Sequence, residues 1–139
     1  MNAARLYNAE VLGLAASLAE YPTSSMMPHH GSARAPTCGS TIEITLDTDP
    51  GCAITEIGVR AQACAIGQAA AAIFAQTAPG KTRDEIELAI TEIETWLAGG
   101  TLADWPGMAA IAAARDFPAR HGAILLAWRA ALVALTPPR

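Results

Sequence analysis

The chain has 139 residues, with 9 Lys+Arg against 13 Asp+Glu and a formal net charge of −4. That length suits one domain able to bury a core without staples, and 52% hydrophobic with 16% charged residues excludes disorder. The acidic balance and scattered Lys and Arg exclude a nucleic-acid footprint. No apolar run approaches the ~18 residues of a membrane span; the nearest, residues 69–75, is flanked by Gln68 and Gln76. The opening Met1-Asn2-Ala3-Ala4-Arg5 lacks the apolar run and cleavage pattern of a secretory signal. Three cysteines, Cys38, Cys52 and Cys64, are too few and odd in number for a disulfide framework. The expectation is a single cytoplasmic domain spanning 1–139, with its thiols available.

Tyr7, Val11, Leu14 and Leu18 fall on one helical face, and Pro22 stops that helix because it cannot donate to the ladder. Residues 22–36 read as a loop rich in Ser, Pro and Gly that contains His29-His30, with at most a short edge strand at 32–35. Residues 41–47 alternate, Ile42, Ile44 and Leu46 on one face and Thr41, Glu43, Thr45 and Asp47 on the other, which predicts a half-buried strand. Asp49-Pro50-Gly51 supplies turn chemistry. Ile54, Ile57 and Val59 continue as a second strand, where the step from Ile54 to Ile57 breaks the alternation and calls for a bulge.

Beyond the hairpin the pattern is helical. Residues 64–77 are Ala-rich with Ile66, Ile73 and Phe74 and have strong helix propensity; Pro79-Gly80 closes them. Thr82-Arg83-Asp84-Glu85 fits a capping box, Ile86, Ile90, Ile93 and Leu97 form the next stripe, and Gly99-Gly100 ends it. A short helix follows Pro106. A final helix over 119–135 aligns Leu125, Trp128, Leu132 and Leu135. Trp96, Trp105 and Trp128 read as core or core-rim residues. The order predicts an α+β fold: a small antiparallel sheet with helices packed on one face and a helical C-terminal half.

Cys38 lies in Pro36-Thr37-Cys38-Gly39-Ser40, directly before a strand, and Cys64 lies where a strand gives way to a helix. The positive end of a helix favours an ionised thiol, the form that metals and sulfur transfer both require. A folded hairpin places the start of its first strand and the end of its second at the same end, which makes the two cysteines neighbours. Their spacing of 26 matches no standard zinc template, and free cysteine is commonly just a small buried hydrophobe, which is the bland reading for both; Cys52, opening a strand after Pro50-Gly51, reads as an ordinary small side chain. His29-His30 and His121 carry imidazoles that could ligate metal, but polar loops and helix ends commonly hold such residues simply solvated. Gly80-Lys81-Thr82 is not a phosphate loop: Ala75 stands where its first Gly is needed, and the segment follows a helix.

Taken together, Leu6-Tyr7, Pro36-Thr37-Cys38-Gly39, Ala63-Cys64-Ala65-Ile66, Gly80-Lys81-Thr82, Pro118-x-Arg120 and Leu126-x-Trp128 resemble the IscU/SufU/NifU-type iron–sulfur cluster assembly scaffolds, in the family's order and over nearly the whole chain. The resemblance implies a three-stranded sheet, a metal site at Cys38 and Cys64, a cysteine desulfurase and other assembly proteins as partners, and no enzymatic turnover. Two departures stand out. Where the family has an Asp two residues after the first Cys there is Ser40, and where it has a third Cys, thought to accept sulfur, there is Ala123. Two thiolates fall short of the four donors that structural zinc or a [2Fe–2S] cluster takes. Ser40 and His121 stand as further candidate donors, with His29 or His30 reaching in from the loop as another. A homodimer could pool two cysteines from each chain. The expected function is therefore a divergent scaffold that binds iron or a [2Fe–2S] cluster, or zinc, through Cys38 and Cys64 and passes it on. The alternative is a degenerate paralogue without a metal site, acting as an interaction module of the assembly machinery.

Overall fold

A computed structural model describes residues 6–137; the opening pentapeptide, read above as no secretory signal, and residues 138–139 lie outside the described residues. Asn8 starts the first helix, α1 (Ala9–Ser17), its side-chain Oδ1 accepting from Val11 N–H at 2.9 Å. Tyr7 therefore precedes the helix, and Leu18 falls in a 3-10 turn, Leu18–Glu20. Only Val11 of the expected stripe is fully buried, with Tyr7, Leu14 and Leu18 packed against the core.

Three antiparallel strands follow: β1 (His29–Arg34), β2 (Thr41–Thr48) and β3 (Ile54–Gln62), in the order β1-β2-β3. β1 is longer than the sequence predicts and takes in both histidines. Its inward positions are His29, Gly31 and Ala33, so it carries little hydrophobic signal. The reason is proximity: a Cβ on Gly31 would land on the Ala130 carbonyl oxygen and the Ala134 backbone nitrogen, so only a residue without a side chain lets the last helix sit there. β2 follows its alternation, with Ile42, Ile44 and Leu46 buried. Thr45 departs from it, being on the outer face yet buried, because the segment after the first helix crosses that face. Tyr21 carbonyl accepts from Val59 N–H at 2.7 Å, and Ser24 N–H donates to Thr45 Oγ1 at 3.2 Å. The expected bulge is present: Asp47 pairs with Glu56 and Thr48 with Ile54, leaving Thr55 as the extra residue.

Helices cover the inner face. α2 (Ala65–Thr77) packs on β3, and α3 (Arg83–Leu97) has its capping box, Thr82 N–H donating to Glu85 Oε1 at 3.2 Å. The linker between them is bonded to the sheet: Gly80 N–H donates to Ile54 carbonyl at 2.7 Å, and Ile54 N–H to Lys81 carbonyl at 2.9 Å. The backbone of Gly80-Lys81 is thus tied to the first residue of β3 and does not form a phosphate cradle. A 3-10 run, Met108–Asp116, follows Pro106.

The final helix is not continuous. A 3-10 turn at Pro118–Arg120 leads into α4 (His121–Ile124), and a break at Leu125 precedes α5 (Leu126–Leu135). α4 packs on α2, and α5 packs on β1, β2, α2 and α3. Leu125 keeps right-handed helical dihedrals, φ −81° and ψ −11°, across the interruption. Phe74, Trp105 and Trp128 pack mutually in the centre with ring centroids 5.4–5.6 Å apart, and all three tryptophans are buried. No helix among the described residues is long and apolar enough to cross a membrane.

Candidate metal centre

The pairing of Thr41 with Gln62 closes the β2–β3 ladder, so the residues just beyond it, Ser40 and Ala63, leave the sheet at the same end. One side of that end is the turn between β1 and β2. Ala35 N–H donates to Ser40 carbonyl at 2.9 Å and Gly39 N–H to Ala35 carbonyl at 2.8 Å, with Gly39 at φ 74°, a conformation glycine takes without strain. This tight turn presents Cys38 exposed. The other side is the N-terminus of α2, where Cys64 is the N-cap residue and half-buried.

α4 locks the two sides together. A Cβ on Gly67 would meet Ala123 Cβ at 3.2 Å, and one on Gly122 would meet Ala35 Cβ at 3.3 Å and Thr37 Oγ1 at 3.6 Å. The Cys38 turn, the first turn of α2 and residues 122–123 therefore converge. Position 123 is held by packing: its methyl is 1% exposed and faces Gly67.

Cys38 Sγ lies 3.2 Å from Ser40 Oγ. The thiol donates to the hydroxyl, and once ionised it receives the hydroxyl's hydrogen instead. The Ser40 hydroxyl, and after it the Ser40 N–H, hold the Cys38 thiol below the ordinary thiol value. Slight desolvation opposes this, while the residue's own N–H and the Arg120 guanidinium add to it. Ser40 is itself buried, and its hydroxyl is occupied by Cys38. Arg120 was legible only as part of the Pro118-x-Arg120 motif; nothing in the sequence tied its charge to Cys38.

His121 is the first residue of α4. Its Nε2 lies 2.8 Å from Arg115 carbonyl, which can only accept, so Nε2 carries the hydrogen and Nδ1 of the neutral ring keeps the lone pair a metal uses. His29 and His30 are elsewhere. They begin β1 at the end opposite the Cys38 turn, roughly 16 Å of strand away at ~3.3 Å per residue. Their ring nitrogens meet Thr48 Oγ1 and Met27 carbonyl. The expectation that His29 or His30 reaches in from the long loop gives way because those residues are strand. Cys52 does not open the strand, as its place after Pro50-Gly51 suggested: it is exposed in the 49–52 turn at the same far end, its N–H donating to Asp49 carbonyl at 2.9 Å and its φ at 67°, and β3 starts only at Ile54.

The NifU-like N terminal domain family matches residues 16–123. The chain belongs to that family. Its fold is similar to that of a nitrogen-fixing NifU-like protein (N-terminal) from Brucella abortus, with 25% identity, a TM-score of 0.84 and coverage of 94% of this chain and 92% of that one. It is also similar to a putative iron-sulfur cluster assembly scaffold protein for the SUF system from Fervidobacterium islandicum AW-1, at 18% identity and a TM-score of 0.84, covering 97% and 100%. A hypothetical protein shares the fold at 22% identity and a TM-score of 0.74, covering 93% and 98%. No curated protein matches the sequence. The resemblance to the IscU/SufU/NifU scaffolds therefore stands, and the NifU-like fold is where the two departures must be weighed. Among the described residues no three His, Cys, Asp or Glu side chains form a group able to hold a metal ion. At this end of the sheet one chain offers two thiols, an occupied hydroxyl, a methyl and, at the start of α4, the His121 imidazole, so its free donors fall short of a four-ligand centre.

Proposed function

We propose that the chain is a scaffold-type protein of iron–sulfur cluster assembly, working as a single domain over 1–139. It takes iron or a [2Fe–2S] cluster on Cys38 and Cys64 and passes it on without turning over a substrate. The observation that carries this reading is the convergence of the Cys38 turn, the Cys64 helix start and α4 at one end of a NifU-like fold. A Cys38 thiol biased toward thiolate suits iron or, as the alternative metal, zinc. Its partners on this reading are a cysteine desulfurase and other assembly proteins, and its compartment the cytoplasm. Ser40 supports Cys38 through its hydroxyl, and His121 offers Nδ1 as a further candidate donor.

The test is elemental analysis and absorption spectroscopy after anaerobic supply of iron and sulfide, with Cys38→Ala and Cys64→Ala alongside. Cluster absorption in the wild-type chain, lost in both variants, is the expected result; metal binding unchanged in both variants refutes the proposal. One observation favours a second reading: position 123 is a methyl packed against Gly67, so the fold closes over the place of the family's third cysteine. A chain that binds neither metal nor cluster yet captures assembly proteins, unaffected by loss of both cysteines, is a degenerate interaction module.

A further inference from the structure

The two edges of the sheet differ. The bond from Ala35 N–H to Ser40 carbonyl and the β1–β2 register turn the backbone groups of His29, Gly31 and Ala33 toward β2, since bonded and unbonded pairs alternate. Those of His30, Ser32 and Arg34 therefore point off the sheet, and among the described residues no backbone group meets them. The outer edge of β3 is closed instead, at Val59 by Tyr21 and at Ile54 by Gly80 and Lys81. Natural sheets blunt an open edge with a proline, a bulge or a covering segment. β1 has no proline or bulge: Pro28 and Pro36 stand outside it, and its register runs without a shift.

The open edge lies in a groove. On its outer side a cleft of about 490 Å³ runs from Ser24 and Ser25 past Gly31 and Ser32 to Val133. On its inner side a second hollow lies between Pro28, Leu135 and Pro137 and shares Val133. Val133 is 54% exposed, an apolar side chain beside free backbone donors and acceptors. Arg34, the last residue of β1, is exposed and makes no ion pair among the described residues, Glu43 being taken by Arg60 at 3.3 Å. We propose that this edge docks an extended segment of another protein as a fourth strand, a segment that alternates acidic and apolar side chains. Pairing uses the outward groups of His30, Ser32 and Arg34. The two-residue period of a strand then sets acids on the outer face against Arg34 and apolar residues on the inner face beside Val133. A second copy of this chain is the poorer occupant. β1 paired with itself about Ser32 brings Arg34 beside His30 of the other copy, offers no acid and turns only His29, Gly31 and Ala33 inward. The inference needs neither Cys38 nor Cys64 and stands apart from the metal reading.

The probe is a capped decapeptide of alternating Glu and Val, with one of alternating Lys and Val as its charge-reversed control. Amide hydrogen exchange of the full chain is followed by NMR at low ionic strength. The expected result with the acidic peptide is slowed exchange at His30, Ser32 and Arg34, while Gly31 and Ala33, already bonded to β2, stay as they were. Arg34→Glu weakens the acidic peptide about tenfold and admits the basic one. Ser32→Pro removes only an outward N–H and abolishes binding, circular dichroism confirming that the variant folds. Equal binding of the two peptides, or binding indifferent to Arg34→Glu, overturns the proposal. So does the absence of slowed amides at millimolar peptide. A chain that light scattering shows to be dimeric, and monomeric as Ser32→Pro, assigns the edge to a second copy and overturns it as well.

Discussion

At the level of single residues, the pair Cys38 and Ser40 shows how one substitution changes the character of a site. Ser40 contributes no formal charge, yet its hydroxyl is 3.2 Å from the thiol and is the largest cause of the lowered Cys38 pKa. Hydrogen bonding favours the thiolate, so the thiolate fraction rises at lower pH than for an ordinary thiol and falls as pH drops through the shifted value. Iodoacetamide alkylation of Cys38, followed against pH by mass spectrometry, is expected to show a midpoint below that of cysteine in an unstructured peptide. Ser40→Ala moves that midpoint upward, though not the whole way, because the Ser40 N–H remains. An unchanged midpoint removes the hydroxyl from its role. The sequence showed Ser40 as an absent carboxylate; the hydrogen bond it makes instead depends on a turn geometry that only the folded backbone displays.

At the level of elements, β1 is the piece the sequence conceals. Two of its three inward residues, Gly31 and Ala33, are small because α5 lies against it, and smallness erases the alternation by which strands are recognised. Gly31→Ala places a methyl on the backbone of Ala130 and Ala134 and is expected to cost on the order of 1–3 kcal/mol, the usual scale of overpacking, read as a lower urea midpoint. A midpoint unmoved by the methyl denies the close approach of β1 and α5. α3 is the opposite case, legible from its first residue. Thr82 and Glu85 make the reciprocal bonds that their spacing predicts, and Thr82→Ala is expected to cost about 1 kcal/mol, the ordinary worth of an N-cap. The same denaturation curve measures it. The final helix was legible as helical but not as interrupted, since residues 123–135 contain no Gly or Pro and Leu125 itself keeps right-handed helical dihedrals.

Across the whole molecule, stability centres on the aromatic cluster of Phe74, Trp105 and Trp128. Trp105 Nε1 donates to Ile73 carbonyl at 3.1 Å, whereas Trp128 Nε1 is buried without a partner. Trp128→Ala is expected to cost about 3–5 kcal/mol, a large part of the ~5–15 kcal/mol that holds a domain folded. Trp128→Phe costs less, because it keeps a ring in place and removes the orphaned donor. Thermal unfolding of the two variants, with the alanine variant the less stable, checks the order. The site belongs to this scale too. Ser40→Asp combined with Ala123→Cys restores the two donors the family resemblance implies, and on the proposed function the double variant is expected to retain more iron per chain than the wild-type chain after anaerobic supply of iron and sulfide. Elemental analysis decides it, and equal iron in the two proteins shows that donor count does not limit the site.

Local pattern was enough for the α+β order of elements, the β2–β3 hairpin with its bulge, the capping box of α3 and the placement of Cys38 and Cys64 at one end of the sheet. Each of these follows from periodicity or turn chemistry within a dozen residues, and the two-residue repeat of a hairpin carries its ends along with it. Tertiary structure alone decided that His29 and His30 belong to a strand end far from Cys38 and Cys64, that the segment after α1 buries Thr45, and that α4 packs on α2 with Ala123 buried against Gly67. Those outcomes depend on how near two distant backbones come. A sequence reports such nearness only by side chains that are small or absent, and a glycine or an alanine does not say what it has made room for.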